Sequence, residues 1–140
     1  VPDLFRRDQE SDVSPPNLAD TSSFAEHIVH RRGKRTRFTS VSLDPMSIRD
    51  FGDRLWKLVQ PRVWDDGHVQ VSHDDLVKAL RAELQSGDED AKEIAARALP
   101  RAIARREALV DWRLNPGSSV ERKDLLSWAL TKVRQYFVKG

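Results

Sequence analysis

Three hydroxyls fall in four consecutive positions of "RFTSVSLDP" (residues 37–45): Thr39, Ser40 and Ser42, interrupted only by Val41. Small hydroxyls alternate there with apolar groups, as in a half-buried strand. Two readings fit. Thr and Val suit strands and Ser fills exposed positions, or Ser40 orients a catalytic group or touches a ligand. Just upstream, "HRRGKRTR" (30–37) places Arg31, Arg32, Lys34, Arg35 and Arg37 together with no acid among them. That composition suits phosphate contacts and equally a solvated loop. Metal chemistry is not indicated. His27 and His30 are three apart and His68 and His73 flank an acidic stretch, but no i, i+4 His pair with a carboxylate occurs. These read as surface histidines, and no metal is expected. The six glycines are scattered, so there is no glycine-rich phosphate loop. Ser40 also lacks the Gly-flanked sharp turn of a hydrolase nucleophile.

The 140-residue length fits a single domain spanning residues 1–140, with a real core anchored by four Trp and five Phe. A net charge of +2 does not force a polyanion-binding role. The absence of Cys excludes a disulfide staple, a thiolate nucleophile and a Cys-based zinc site. No apolar run approaches the roughly 18 residues that span a bilayer, so no membrane partner is expected. The first residue is Val rather than Met, as in a processed form or an excised domain. Localisation stays open: a soluble domain, with secretion one possibility.

The elements that must position these groups follow from pattern. "VPDLFRRD" reads as a first strand, followed by a turn-rich stretch stiffened by Pro15-Pro16. "SFAEHIVH" reads as a short helix capped by Ser22 or Ser23, with Phe24 and Ile28 inward. After the "RFTSVS" strand, Asp44-Pro45 predicts a helix start, with Ile48, Phe51, Leu55 and Leu58 as a buried stripe ended by Pro61. "GHVQVS" predicts a strand. Ser72 predicts the cap of a helix burying Leu76, Val77, Leu80 and Leu84, closed by Gly87. Residues 91–99 read as helix until Pro100 interrupts it. Glu107 to Leu114 reads as a strand, Asn115-Pro116-Gly117 as a turn, and Leu125, Leu126, Ala129, Val133 and Phe137 as one face of a last helix. This order is that of an α+β domain.

Four separated pieces, in order, resemble the pertussis-toxin-like mono-ADP-ribosyltransferases and the related fungal domains of unknown function. "LFRRD" is similar to their first-strand aromatic-Arg-x-Asp motif and sets Arg6 at the catalytic arginine. "FAEHIVHRRG" resembles the segment with an active-site His, which falls on His27. "RFTSVS" resembles their aromatic-x-Ser-Thr-Ser strand, with Ser40 as first and Ser42 as last serine. "ARREALVDWRLNP" resembles the strand bearing the catalytic glutamate, which gives Glu107.

The resemblance implies a split antiparallel sheet with flanking helices, and NAD as a substrate cleaved at its nicotinamide–ribose bond. ADP-ribose would pass to a macromolecular acceptor, protein or nucleic acid, as in a toxin or effector, with or without NAD hydrolysis. It implies that Glu107 stabilises positive charge on the ribose and holds its hydroxyl. Arg6 would bind a phosphate or ribose oxygen, Ser40 would fix Glu107, and His27 would hold the adenine-side ribose, with Ser42 also on the cofactor-binding side. The sequence departs from the pattern at Val41, where the middle Thr hydroxyl is missing, and at Arg105, two residues before Glu107. That second position helps activate the acceptor in the family, and an Arg there argues against an arginine acceptor. Arg7 competes for the Arg6 role, and Glu107 has Arg105 and Arg113 as alternative ion-pair partners. The alternative function is an inactive member of the fold that binds a protein or nucleic acid through the basic segment 31–37.

Overall fold

The structure is a computed structural model that describes residues 2–9, 12–29, 35–112 and 124–140. Six strands and five α-helices occur among these residues, in the order β1 (Phe5–Asp8), α1 (Phe24–Val29), β2 (Phe38–Ser42), a 3₁₀ segment (Pro45–Phe51), β3 (Arg54–Leu58), α2 (Gln60–Asp65), β4 (Val69–Val71), α3 (His73–Ser86), α4 (Glu89–Ala104), β5 (Glu107–Asp111), α5 (Leu125–Tyr136) and β6 (Phe137–Lys139). The strands form one antiparallel sheet in the order β4-β5-β2-β1-β3-β6. The chain is therefore α+β, with a six-stranded antiparallel sheet and flanking helices.

The sheet is unevenly knitted. β2 and β5 pair along their whole length, from Phe38↔Asp111 to Ser42↔Glu107. β1 pairs with β3 through four positions, from Phe5↔Lys57 to Asp8↔Arg54. β1 and β2 meet only at Phe5↔Ser42. Two three-stranded halves thus share one pairing point, and past it Ser40's carbonyl takes its hydrogen bond from the Arg6 guanidinium at 3.0 Å.

Strand alternation sorts the β2 and β5 side chains onto two faces. Phe38, Ser40, Ser42, Glu107, Leu109 and Asp111 share one, where Phe38 and Leu109 pack with Ala25 and Ile28 of α1, Leu76 and Leu80 of α3, and Ala95, Ala98 and Ala102 of α4. Thr39, Val41, Ala108 and Val110 share the other, where the last three pack with Leu4, Leu58, Val63, Val133 and Tyr136. Each fully buried Leu or Val contributes about 1.5–3 kcal/mol by leaving water, so both faces are pinned and a one-residue slip of β2 is strongly disfavoured.

Several predicted elements are corrected. The helix expected from Asp44-Pro45 starts as predicted, with Asp44 accepting from the Met46 amide, but it is a 3₁₀ segment that stops at Phe51. Gly52 breaks it at φ +150°, where a Cβ would lie 2.2 Å from the Asp8 carbonyl carbon. The chain then enters β3, so Leu55 and Leu58 belong to a strand, and Phe51 is 48% exposed rather than buried. Pro61 sits in the first turn of α2, where its missing amide costs nothing, rather than ending a helix. Pro100 does not interrupt α4, which runs on to Ala104. Its ring is exposed, and the buried Ala95, Ala98 and Ala102 hold the helix against its neighbours on either side of it. At the C-terminus Leu126 is 54% exposed, and Phe137 opens β6 instead of continuing the helix. The predicted turn at 115–117, and the strand beyond Trp112, lie outside the described residues.

Candidate active site

The elements around β2 explain why His27 reaches it. Ser23 caps α1 by accepting from the Glu26 amide at 3.2 Å, and the Glu26 carboxylate accepts from the Ser23 amide at 3.2 Å. This reciprocal box fixes the first turn of a helix too short to stand alone. It leaves His27 over Phe38, with ring centroids 5.3 Å apart. There its two nitrogens meet two hydroxyls: Nδ1 lies 2.5 Å from Thr36 Oγ1, and Nε2 lies 2.6 Å from Ser40 Oγ.

Glu107 opens β5 directly opposite Ser42 and diagonal to Ser40 on the same face. It is 4% exposed, and its Oε2 is buried without a hydrogen bond. Burial pushes its carboxyl up from an ordinary 4.5 to about 7, against the opposing pull of the Arg105 charge, the Ser40 hydroxyl and the Arg6 charge. The glutamate is held at both ends. His73, at the start of α3, uses Nδ1 to donate to the Glu107 carbonyl at 2.7 Å. The turn before it is anchored by Ser42 and Ser47, whose hydroxyls donate to the Arg105 carbonyl at 2.6 and 3.0 Å. Arg106 makes that turn with φ +46°, a left-handed conformation that costs a side-chain-bearing residue about 1–2 kcal/mol.

Arg6 reaches Ser40 from β1. Its Nε donates to Asp8 Oδ2 at 2.9 Å and its Nη2 to Oδ1 at 3.4 Å, while Nη1 caps the Ser40 carbonyl. Asp8 therefore aims Arg6 at β2, which is a physical reason for an Arg-x-Asp spacing on one strand. Arg7 takes a different task, donating from Nε to the Pro45 carbonyl at 2.9 Å and tying the 3₁₀ segment to β1.

Four of the five expected site residues, Arg6, His27, Ser40 and Glu107, are thus one connected group. Ser42 belongs to its scaffold: it is 1% exposed, and besides the Arg105 carbonyl its hydroxyl meets the Asp44 carbonyl at 2.9 Å and Ser47 Oγ at 3.1 Å. Val41 removes no hydroxyl from the site. It faces the opposite core, where its neighbour Thr39 accepts from Trp112 Nε1 at 2.7 Å. The three hydroxyls of the strand therefore serve three tasks: Ser40 the site, Ser42 the turn before Glu107, and Thr39 the other core.

Two contributors, Asp8 and Thr36, were not singled out from sequence, and a third, His73, was read only as a surface histidine. Asp8 lay inside a quoted motif, so its signal was present. Thr36 sits four residues before Ser40, two even steps back along the strand direction. His73 had no usable signal, because a helix-start histidine contacting a strand 34 residues later is a tertiary fact. The histidines are also less superficial than expected: His68 is 7% exposed, packed among Trp112, Trp128 and Tyr136. Arg37, from the basic segment, is likewise half-buried. It pairs with the fully buried Asp111 at 3.1 Å and donates to the Ser22 carbonyl at 2.9 Å. Residues 30–34 lie outside the described residues.

Proton counting gives the group a direction. Ser40 has one hydroxyl proton to share between His27 Nε2 and Glu107. With Glu107 ionised, that proton is best used on the carboxylate, which requires His27 to carry its own proton on Nε2. Thr36, which accepts from the Phe38 amide at 3.2 Å, then donates to Nδ1. The result is an aimed carboxylate beside two guanidinium groups, able to stabilise adjacent positive charge or accept a proton. Among the described residues no group of three or more His, Asp or Glu could hold a metal ion, and no helix is long and apolar enough to cross a membrane. No protein family, curated protein or solved structure was found to match the chain.

Proposed function

We propose that this domain is an NAD-dependent mono-ADP-ribosyltransferase with the ADP-ribosyltransferase-like split sheet, and that Glu107 is its catalytic carboxylate. The observation that carries this reading is the convergence of Arg6, His27 and Ser40 on one buried glutamate that has an unpartnered oxygen and a carboxyl near neutrality. The sheet that meets at a single β1–β2 pair supports it, because a ligand cleft needs two halves that diverge.

In the reaction the bond between the ribose C1′ and the nicotinamide nitrogen breaks, and its electron pair leaves with neutral nicotinamide. The ribose is left with oxocarbenium character, which the ionised Glu107 stabilises. An acceptor nucleophile, or water, then bonds to C1′ and gives up a proton to Glu107 or solvent. Ser40 holds the carboxylate, His27 holds Ser40, and Arg6 braces β2, the strand that carries Ser40. The test is transfer of labelled ADP-ribose from NAD to acceptors in a cell extract. Label appears on an acceptor with the native domain and not with Glu107→Gln.

A second reading is a member of the same fold without turnover that binds a protein or nucleic acid through basic segment 31–37. Arg105, a cation where acceptor activation is expected, favours it. Partner binding that weakens with salt, without any nicotinamide release, would support that reading.

A further inference from the structure

We infer that Arg105 is a phosphate-binding residue of this site: its preorganised, unfilled guanidinium takes a phosphate oxygen pair of the ligand. The shared chemistry is a phosphate, and its two sources are the diphosphate of NAD and the phosphodiester backbone of a nucleic-acid acceptor. The NAD source rests on the proposed function; the nucleic-acid source stands without it.

The guanidinium groups around the site differ in what already holds them. Arg6 spends its fork on Asp8 and the Ser40 carbonyl, and Arg37 spends its own on Asp111 and the Ser22 carbonyl. Arg7 is tied to the Pro45 carbonyl. Among the described residues the Arg105 guanidinium makes no hydrogen bond or salt bridge; its charge acts on Glu107 without direct contact, and the side chain is half-buried. Its Cζ lies 4.7 Å over the ring of Phe51, which is itself 48% exposed.

The backbone beneath it is equally fixed. The Ser42 and Ser47 hydroxyls grip its carbonyl, and its amide closes α4 on the Arg101 carbonyl at 3.0 Å. An aromatic face presenting a planar fork whose donors are empty matches a phosphate bidentately and has little rotamer entropy left to lose. Arg101 and Arg106, both exposed, stand one helical turn before it and one residue after it. The phosphate would sit beside Glu107, close to where the proposed transfer occurs. The task expected of Arg6 falls to the residue that departs from the family pattern.

Compensating the C-terminal dipole of α4 would need only a charge there, and Lys would serve. Phosphate recognition needs the fork. The experiment therefore compares native protein, Arg105→Gln and Arg105→Lys by titration calorimetry. The probes are NAD, nicotinamide riboside (which has no phosphate), inorganic pyrophosphate and a single-stranded DNA oligonucleotide, each at two salt concentrations. Losing a charge-assisted bidentate contact weakens binding by about tenfold to a hundredfold.

If NAD is the source, Arg105→Gln shows that loss for NAD and pyrophosphate but not for nicotinamide riboside. If nucleic acid is the source, the loss falls on the oligonucleotide and NAD is unchanged. In either case Arg105→Lys binds more weakly than native. Affinities equal to native in Arg105→Gln for every probe overturn the inference, as does native protein that binds no phosphate probe. Oligonucleotide binding through Arg105 with no NAD binding keeps the inference and removes the NAD reading. Unchanged thermal unfolding of both variants separates loss of binding from loss of fold.

Discussion

The Nε2 atom of His27 lies 2.6 Å from the Ser40 hydroxyl, although one residue is on a six-residue helix and the other on the strand that flanks Glu107. The contact makes Ser40 a directional group rather than a surface hydroxyl. Its proton is pushed towards the carboxylate whenever His27 carries a proton on Nε2.

Removing Ser40 should therefore be felt by Glu107. The hydroxyl lowers a carboxyl that burial has already raised to about 7, so Ser40→Ala moves that value higher. If ionised Glu107 is the active form, the rate of nicotinamide release rises with pH towards a plateau. In Ser40→Ala the rising limb shifts to higher pH. A pH–rate profile with an unmoved limb would detach Ser40 from Glu107.

Glu107 should also cost the fold stability at alkaline pH. Its folded pKa lies above its unfolded value of 4.5, so folding favours the protonated form. Below pH 4.5 there is no penalty; as pH rises from there to about 7 the native state loses on the order of 3 kcal/mol, and above that the loss is complete. Glu107→Gln imitates the protonated group. It should be more stable than native protein at pH 8, by up to about 3 kcal/mol, and equal to it near pH 4.5, as read by urea unfolding at the two pH values.

The Arg37–Asp111 pair ties the start of β2 to the end of β5, with the Asp111 side chain 1% exposed. Arg37→Met keeps the stem and removes one charged partner of the buried carboxylate. The expected loss is about 1.5–3 kcal/mol of unfolding free energy, the range for a hydrogen bond to a charged group. A change below about 1 kcal/mol would show that Asp111 is satisfied without it.

At Arg106 the left-handed backbone sets the two replacements apart. Arg106→Gly relieves the strain and raises stability by roughly 0.5–1 kcal/mol. Arg106→Val, β-branched at positive φ, lowers it by at least about 1 kcal/mol. Denaturant midpoints of the two variants should fall on opposite sides of native.

Much of this arrangement was legible because local chemistry and tertiary role agreed. The Ser22-Ser23 pair announces a helix start, Ser72 and Gly87 bracket α3, and the alternation of 38–42 marks a strand with a site-facing side. The sequence misled where a local pattern had two solutions. Ile48, Phe51, Leu55 and Leu58 keep helical spacing, but Gly52 must pass against the Asp8 backbone and divides them between a 3₁₀ segment and a strand. Pro100 reads as a breaker, and buried alanines on both sides of it override that preference. The contacts of His73 with Glu107 and of Arg105 with Phe51 join residues 34 and 54 positions apart. Spacing alone carries no signal for them.

The most direct measurement is nicotinamide release from NAD by the purified native domain, beside Glu107→Gln, at pH 8 where Glu107 is ionised. Release by native protein that collapses in a Glu107→Gln variant of equal or greater stability is the predicted result. No release from native protein with extract supplied as a source of acceptors, or equal release from both, would contradict NAD cleavage through Glu107.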